Sequence, residues 1–389
     1  MAAGGPLSSM FWNPATMTQY DGKAFEANVT GIFPKANQSY STSSLVNNIS
    51  PLVFGNGVSN SGEPAAVPSS FSSYQINDRL WLGMAITAPF GLSVAFPGNW
   101  AGSMYGEGAS VKSLNFSPSV AYKINEQLSV AVGFQAQWMS VNHSQFVPVN
   151  IPGANMVNIG GDGWGYGFTA GVTYTPMPGT QLGIGYRSAI NQKISGSIVA
   201  TTPLAAAAAG ITPGSVGTTL NLPDQLSVGL RQRIADRWTL LAGFEFANWA
   251  RIGTANVTGS STVNLPFQYS NGYFYSLGFE YQALSNLTLR TGIAYEKSPI
   301  TDLVRTPGLP DNDRMWYSVG ATYKAPFKGL SFDVGYSYID VKNTPVNLGP
   351  GTGNPWTSTT AAVATYVGSV QSNIQIVSLA ARYQWDAVK

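Results

Sequence analysis

Apolar and polar residues alternate with period two over most of the chain, the mark of strands whose two faces meet unlike surroundings. One run places Trp238, Leu240, Ala242, Phe244 and Phe246 on one side, with Thr239, Leu241, Gly243, Glu245 and Ala247 between them. Another places Tyr273, Tyr275, Leu277, Phe279 and Tyr281 opposite Glu280. Phe332, Val334, Tyr336 and Tyr338 alternate with Ser331, Asp333, Gly335 and Ser337, and residues 128–138 repeat the pattern from Leu128 to Trp138. The connections alternate in length. Short ones fall near 76–79, 124–127, 176–180, 234–236, 283–286 and 325–328, and long ones near 35–65, 97–110, 145–162, 199–217, 253–266, 298–311 and 343–371. This predicts an all-β fold, a transmembrane antiparallel β-barrel of about 14 strands with tight turns at one end and long loops at the other. An amphipathic sheet with lipid on one face must close, because open edges would leave backbone groups unpaired in hydrocarbon.

Composition supports a wall between lipid and a polar lumen. Charged residues are only 10% of the 389, against roughly 25% in ordinary soluble domains. The apolar share, 44%, is ordinary, so small polar residues and 43 Gly replace the missing charges. The net charge of +2 points to neither nucleic acid nor a strongly anionic partner. The absence of Cys excludes disulfides and thiolate metal sites. No run of 18 apolar residues exists: the longest candidate, 80–96, is broken by Thr87, Pro89, Gly91 and Ser93. Met1–Gly5 lacks a basic region followed by an apolar core, so the chain is expected to be a processed or truncated form of an exported protein.

Residues 1–21 do not alternate and read as a small unit before the first strand, either a free tail or a plug, with the barrel spanning 22–389. The Ala-rich run 204–210 is a helix signal within a loop. Pro89 lacks a ladder donor and Gly91 a side chain, so strand pairing should weaken around Pro89, Phe90 and Gly91.

Several segments, in order along nearly the whole chain, resemble the FadL family of outer-membrane transporters for long-chain fatty acids and other hydrophobic compounds. Asn13-Pro14-Ala15 resembles the motif of the family's N-terminal hatch. Residues 87–92, Thr-Ala-Pro-Phe-Gly-Leu, resemble its kinked third strand. Residues 163–167, 185–188 and 221–224 resemble central strands, and Ser298-Pro299 followed by residues 309–316 is the most specific signature. The resemblance implies a 14-stranded barrel in the outer membrane of a Gram-negative cell, with the hatch folded inside its lumen. It implies passive uptake: a hydrophobic molecule is caught by external loops, moves to an apolar site above the hatch, and leaves sideways at the third-strand kink. The family usually carries more residues before the hatch motif, so the hatch here is expected to be truncated. Where fatty-acid-binding relatives place basic residues near a carboxylate, this chain has Gln145 and Ser270, which favours a neutral, hydrocarbon-like ligand. Trp385 resembles the aromatic end of such barrels, with residues 386–389 beyond it.

The expected ligand-binding residues are Phe90, Leu92, Phe96, Trp100, Met104, Tyr105, Gln145 and Phe146, with apolar loop contacts from residues 146–148 and 265–267. The cluster after the kink reads equally as an aromatic girdle or loop packing. Asn13, Pro14 and Ala15 form either a mobile hatch element or a rigid turn. Parity points Lys123, Arg187, Arg231, Arg233, Arg290, Glu245, Glu280, Glu296 and Asp333 into the lumen, where an ion-pair network fixing the hatch is preferred over a polar path. His143, the single His, lacks a nucleophile and an orienting carboxylate, so neither catalysis nor a metal site is expected, and no cofactor. Expected partners are a fatty acid, alkane or aromatic hydrocarbon together with outer-membrane lipid and lipopolysaccharide, around a monomer. The alternatives are a polar porin with an open aqueous lumen, a barrel lipase, and a soluble β-sandwich or solenoid.

Overall fold

A computed structural model describes residues 1–43, 57–97, 100–147, 156–359 and 365–385. Its wall begins with β1 (Lys23–Ser43), β2 (Ala65–Asn77) and an interrupted β3 (Leu80–Thr87 and Gly91–Ala95). β4 (Gly108–Lys123), β5 (Leu128–Phe146) and β6 (Met156–Met177) follow. Two further interrupted strands are β7 (Thr180–Arg187 and Ile190–Ala200) and β8 (Gly214–Leu222 and Gln225–Ala235). The wall ends with β9 (Trp238–Ala247), β10 (Gly272–Leu284), β11 (Leu287–Lys297), β12 (Arg314–Lys324), β13 (Leu330–Val341) and β14 (Tyr366–Trp385). β14 pairs antiparallel with β1 along its length, so the described residues form a closed 14-stranded barrel.

Outward side chains are apolar. Val132, Ile184, Ile293, Val319 and Leu379 are exposed at mid-strand, as lipid contact requires. Tyr74, Tyr122, Tyr174, Trp238 and Tyr323 are exposed close to the tight turns, an aromatic belt at that membrane interface. All six short connections lie between strands where the pattern placed them. The long connections differ from expectation. β1 and β6 run for 21 and 22 residues, about twice the 9–11 that a bilayer core needs. Segments read as loops therefore continue as paired strand beyond the membrane. Further strands at Thr254–Gly259, Val263–Pro266 and Thr344–Leu348 add to this outer rim. The Ala-rich loop holds a helix at Pro203–Ala208, N-capped by Thr202.

The segment before β1 fills the lower lumen as two short 3-10 helices, Leu7–Phe11 and Pro14–Gln19. They pack against β1 to β6. Leu7, Met10, Ala15, Met17 and Tyr20 form a buried cluster with Ala24, Phe71, Trp81, Ala85, Ala121 and Ala131 of the wall. The pattern left tail and plug open; the barrel holds a plug.

Candidate functional site: the plug, the apolar lumen and the break in the wall

Asn13 shows why an Asn-Pro pair suits the plug. Its side-chain oxygen accepts from the Ala15 amide at 3.0 Å, and Pro14 starts the helix with the fixed φ that position needs. Its amide group donates to the Ala2 carbonyl at 2.7 Å and to the Val172 carbonyl of β6 at 2.9 Å, tying plug to wall. Arg187 of β7 donates to the Phe11 carbonyl at 3.1 Å, and its guanidinium lies 4.3 Å from the Phe11 ring centre. On the opposite side, buried Glu26 accepts from the Leu7 amide at 2.9 Å and from the Ser8 amide at 3.3 Å, while Arg382 pairs with it at 3.3 Å.

Of the charges that parity pointed inward, Glu280 binds Arg231 and lies 2.8 Å from Arg290, which reaches Asp333 at 3.3 Å. Glu296 holds Arg314 and the Trp316 indole, each at 3.0 Å. Glu245 accepts from Ser227 at 3.3 Å. Lys123 instead pairs with Glu126 at a tight turn. Sequence reading missed Glu26, Arg314 and Arg382. Glu26 carried a signal, because it shares parity with Ala24 and Asn28, opposite Phe25 and Ala27.

The expected ligand residues fall into two groups rather than one. Phe90 packs on a lumen cluster of Met139, Ile190, Ile194, Leu220, Leu222 and Ala255, together with Val111, Val141, Leu265 and Phe267. Leu92 lies directly opposite Val111 and so shares its face. Trp100, Met104 and Tyr105 are buried in a second cluster near the outer rim, with Phe96, Phe146, Val346, Leu348 and Tyr366. Gln145 stands outside both, opposite Val157. The Ser270 hydroxyl is occupied by the Pro299 carbonyl at 2.9 Å. Pro148 and residues 386–389 lie outside the described residues.

The wall breaks at the third strand. Thr87 sits opposite Asn115 and Gly91 opposite Lys112, so four steps on β3 face three on β4. This extra residue is a bulge that flips the alternation and lets both Thr87 and Phe90 face inward. Ser113 clasps the bulge, accepting from the Phe90 amide at 2.9 Å and donating to its carbonyl at 2.6 Å. On the other side, β2 pairs with β3 only from Ser70 onward. Among the described residues no ladder pair joins Ala65–Ser69 to residues 87–92. The window closes again at the Gly62–Val94 bridge. Between the Ser70–Ile86 pair and this bridge, residues 64–69 have no backbone bond to 87–92, and only the Glu63 amide reaches across, to the Ser93 carbonyl at 3.2 Å, so six residues leave an opening of roughly 20 Å along the strand.

A second break, between β6 and β7, is sealed differently. The register steps from Thr169–Arg187 to Asp162–Ser195 with no ladder pairs between. The Ser188 amide still reaches the Phe168 carbonyl at 2.9 Å, Gln135 adds a second bond to the same carbonyl at 2.9 Å, and Gln192 donates to the Gly163 carbonyl at 2.7 Å. The Gln192 side chain thus satisfies a carbonyl that the bilayer cannot.

A closed barrel with an aromatic belt, a plugged lumen and apolar clusters above the plug is an outer-membrane transport protein. The chain belongs to the family described as outer membrane protein transport protein (OMPP1/FadL/TodX), whose model matches residues 2–385. It is 28% identical over 371 residues to a long-chain fatty acid transport protein of Salmonella typhi, covering 87% of this chain and 82% of that one. It is 27% identical over 348 residues to outer membrane protein P1 of Haemophilus influenzae, covering 81% and 74%. In structure it resembles a FadL homologue of Pseudomonas aeruginosa, with TM-score 0.89, 22% identity and coverage of 99% and 96%. It also resembles the toluene transporter TbuX of Ralstonia pickettii, with TM-score 0.70, 19% identity and coverage of 99% and 96%. The family makes the chain an outer-membrane transport protein and not an enzyme.

Proposed function

We propose that the barrel admits hydrophobic small molecules passively and releases them sideways into the bilayer between β2 and β3. The unpaired window beside Phe90 carries this reading. It is bounded on the lumen side by apolar side chains, so a ligand there exchanges one apolar surrounding for another. Passage through water would instead cost about 0.8 kcal/mol per CH₂.

In this reading Phe96, Trp100, Met104, Tyr105 and Phe146 capture cargo at the rim, and Phe90 and Leu92 hold it next to the gap formed by Pro89, Phe90 and Gly91. Gln145 takes no part in the apolar path. Residues 1–21, with Asn13, Pro14 and Ala15 at their centre, act as the hatch, and the barrel extends from residue 22. The relatives described as fatty-acid and toluene transporters support cargo ranging from fatty acids to alkanes and aromatic hydrocarbons. Exposed Lys35, Lys112 and Lys193 on outer strand halves suit the phosphates of lipopolysaccharide around a monomer. An aqueous porin is disfavoured, because apolar clusters and the plug occupy its conduit.

Cells making the protein should take up a radiolabelled hydrophobic compound faster than cells without it. Equal rates across fatty acids, alkanes and monoaromatics would overturn the reading. Gly91→Val is a second arm: a Cβ there meets only the Val111 carbonyl, at 4.0 Å, so the barrel should fold while uptake falls.

A further inference from the structure

Five rings join the rim cluster to the strand break. Trp356 packs on the rim cluster and meets Phe267 edge-on at 5.4 Å between ring centres. Phe267 meets Tyr269 at 5.6 Å, Tyr269 meets Trp249 at 6.2 Å, and Trp249 meets Phe90 at 5.9 Å. All four contacts are edge-to-face, the arrangement that aromatic quadrupoles favour. The rings come from four separate stretches of chain, so the row is a product of the fold. Gln268, between Phe267 and Tyr269, has a φ of 46°, the one positive value at a non-glycine among the described residues. Its amide is held by the Gly253 carbonyl at 2.8 Å. Strain of this kind persists only where surrounding structure enforces it, and it gathers at ligand sites.

Tyr269 adds a polar group to this row. Its ring is half-buried, and its hydroxyl has no hydrogen-bond partner among the described residues. The neighbouring Ser270 hydroxyl and Asn271 side chain are already engaged, with the Pro299 carbonyl and the Ala250 amide. Burial, and then the nearby Asp311 carboxylate, hold the phenol above its ordinary range, so it stays a neutral donor. Asp311 is itself bound by the Ser298 hydroxyl at 2.6 Å and Arg314 at 3.4 Å. An anionic end would approach Asp311 at a cost that a neutral oxygen avoids.

We propose that the row from Trp356 to Phe90 is the inner track of the cargo, and that the Tyr269 hydroxyl is a handle for one neutral oxygen on an otherwise apolar molecule, such as a phenol, alcohol or ketone. The proposal rests on the transport reading above and names the cargo class that its lumen favours. The handle stands one ring from Phe90, so cargo bound there is next to the unpaired window.

The test compares toluene with p-cresol, two flat molecules that differ by a hydroxyl, in cells making either wild-type protein or Tyr269→Phe. The variant keeps the ring and loses the handle. Its p-cresol uptake, taken relative to its toluene uptake, should fall roughly two- to tenfold, the worth of one neutral hydrogen bond. Dividing by toluene uptake removes any difference in the amount of folded barrel. An equal cresol-to-toluene ratio in the two proteins would overturn the proposal, as would a matching loss of both. Wild-type protein that speeds neither compound would instead defeat the transport reading itself.

Discussion

Glycine at four wall positions is explained by the plug. A Cβ at Gly171 would collide with the Asn13 side chain, one at Gly183 with the Ala2 carbonyl, one at Gly185 with the Trp12 carbonyl, and one at Gly229 with Ala3. At the last three backbone lies against backbone, and at all four hydrogen as the side chain is what lets the plug seat. Gly185→Val should unseat the plug and leave the barrel folded, seen as raised ion conductance in planar bilayers. Wild-type conductance would show that the close approach does not matter. Glu26 anchors the other side. Glu26→Ala strands Arg382 and two amides, and should lower stability by about 3–5 kcal/mol, read as a lower unfolding temperature. Glu107, in the rim loop, has a pKa pushed up to about 7 by burial from an ordinary 4.5. The folded loop therefore binds the proton more tightly than the unfolded chain does, so packing is favoured at low pH and weakens as pH rises from about 4.5 through 7. Cleavage of the loop by added protease should rise across that window in wild type and stay flat in Glu107→Gln.

The breaks in β3 and β7 show two treatments of one problem. Both strands carry an extra residue and lose ladder bonds to a neighbour. At β7, the Ser188 amide keeps its bond to the Phe168 carbonyl and Gln192 replaces a lost bond at Gly163, so the wall stays shut. At β3, Ser113 secures only the β4 side, and the side toward β2 stays open. Gln192→Leu should expose the Gly163 carbonyl, at about 1–3 kcal/mol, and raise amide exchange in residues 163–168 without raising uptake. Raised uptake would mean that this break too can serve as an exit. Pro89 and Gly91 made the β3 break legible in sequence, because each weakens pairing locally. The β7 break had no such mark: its seal draws on the Gln192 side chain reaching the Gly163 carbonyl of β6, a contact that no local spacing records.

At the scale of the whole molecule, period two and the alternating connections set strand number and direction, and closure followed from the bilayer. The lengths of β1 and β6 were not legible, since pairing outside the membrane needs no lipid-facing alternation. The expected ligand residues showed a similar limit. Their apolar character was visible, but their division between rim and lumen, and the aromatic row joining the two, depend on loops far apart in sequence. One continuous apolar path should end at the β2–β3 window. Because the chain has no Cys, Gly91→Cys places a unique thiol at that window. Uptake of radiolabelled toluene should fall when this thiol carries a bulky disulfide-linked group, and recover when a reductant removes it. Uptake that is indifferent to the modification would contradict exit through the third-strand break.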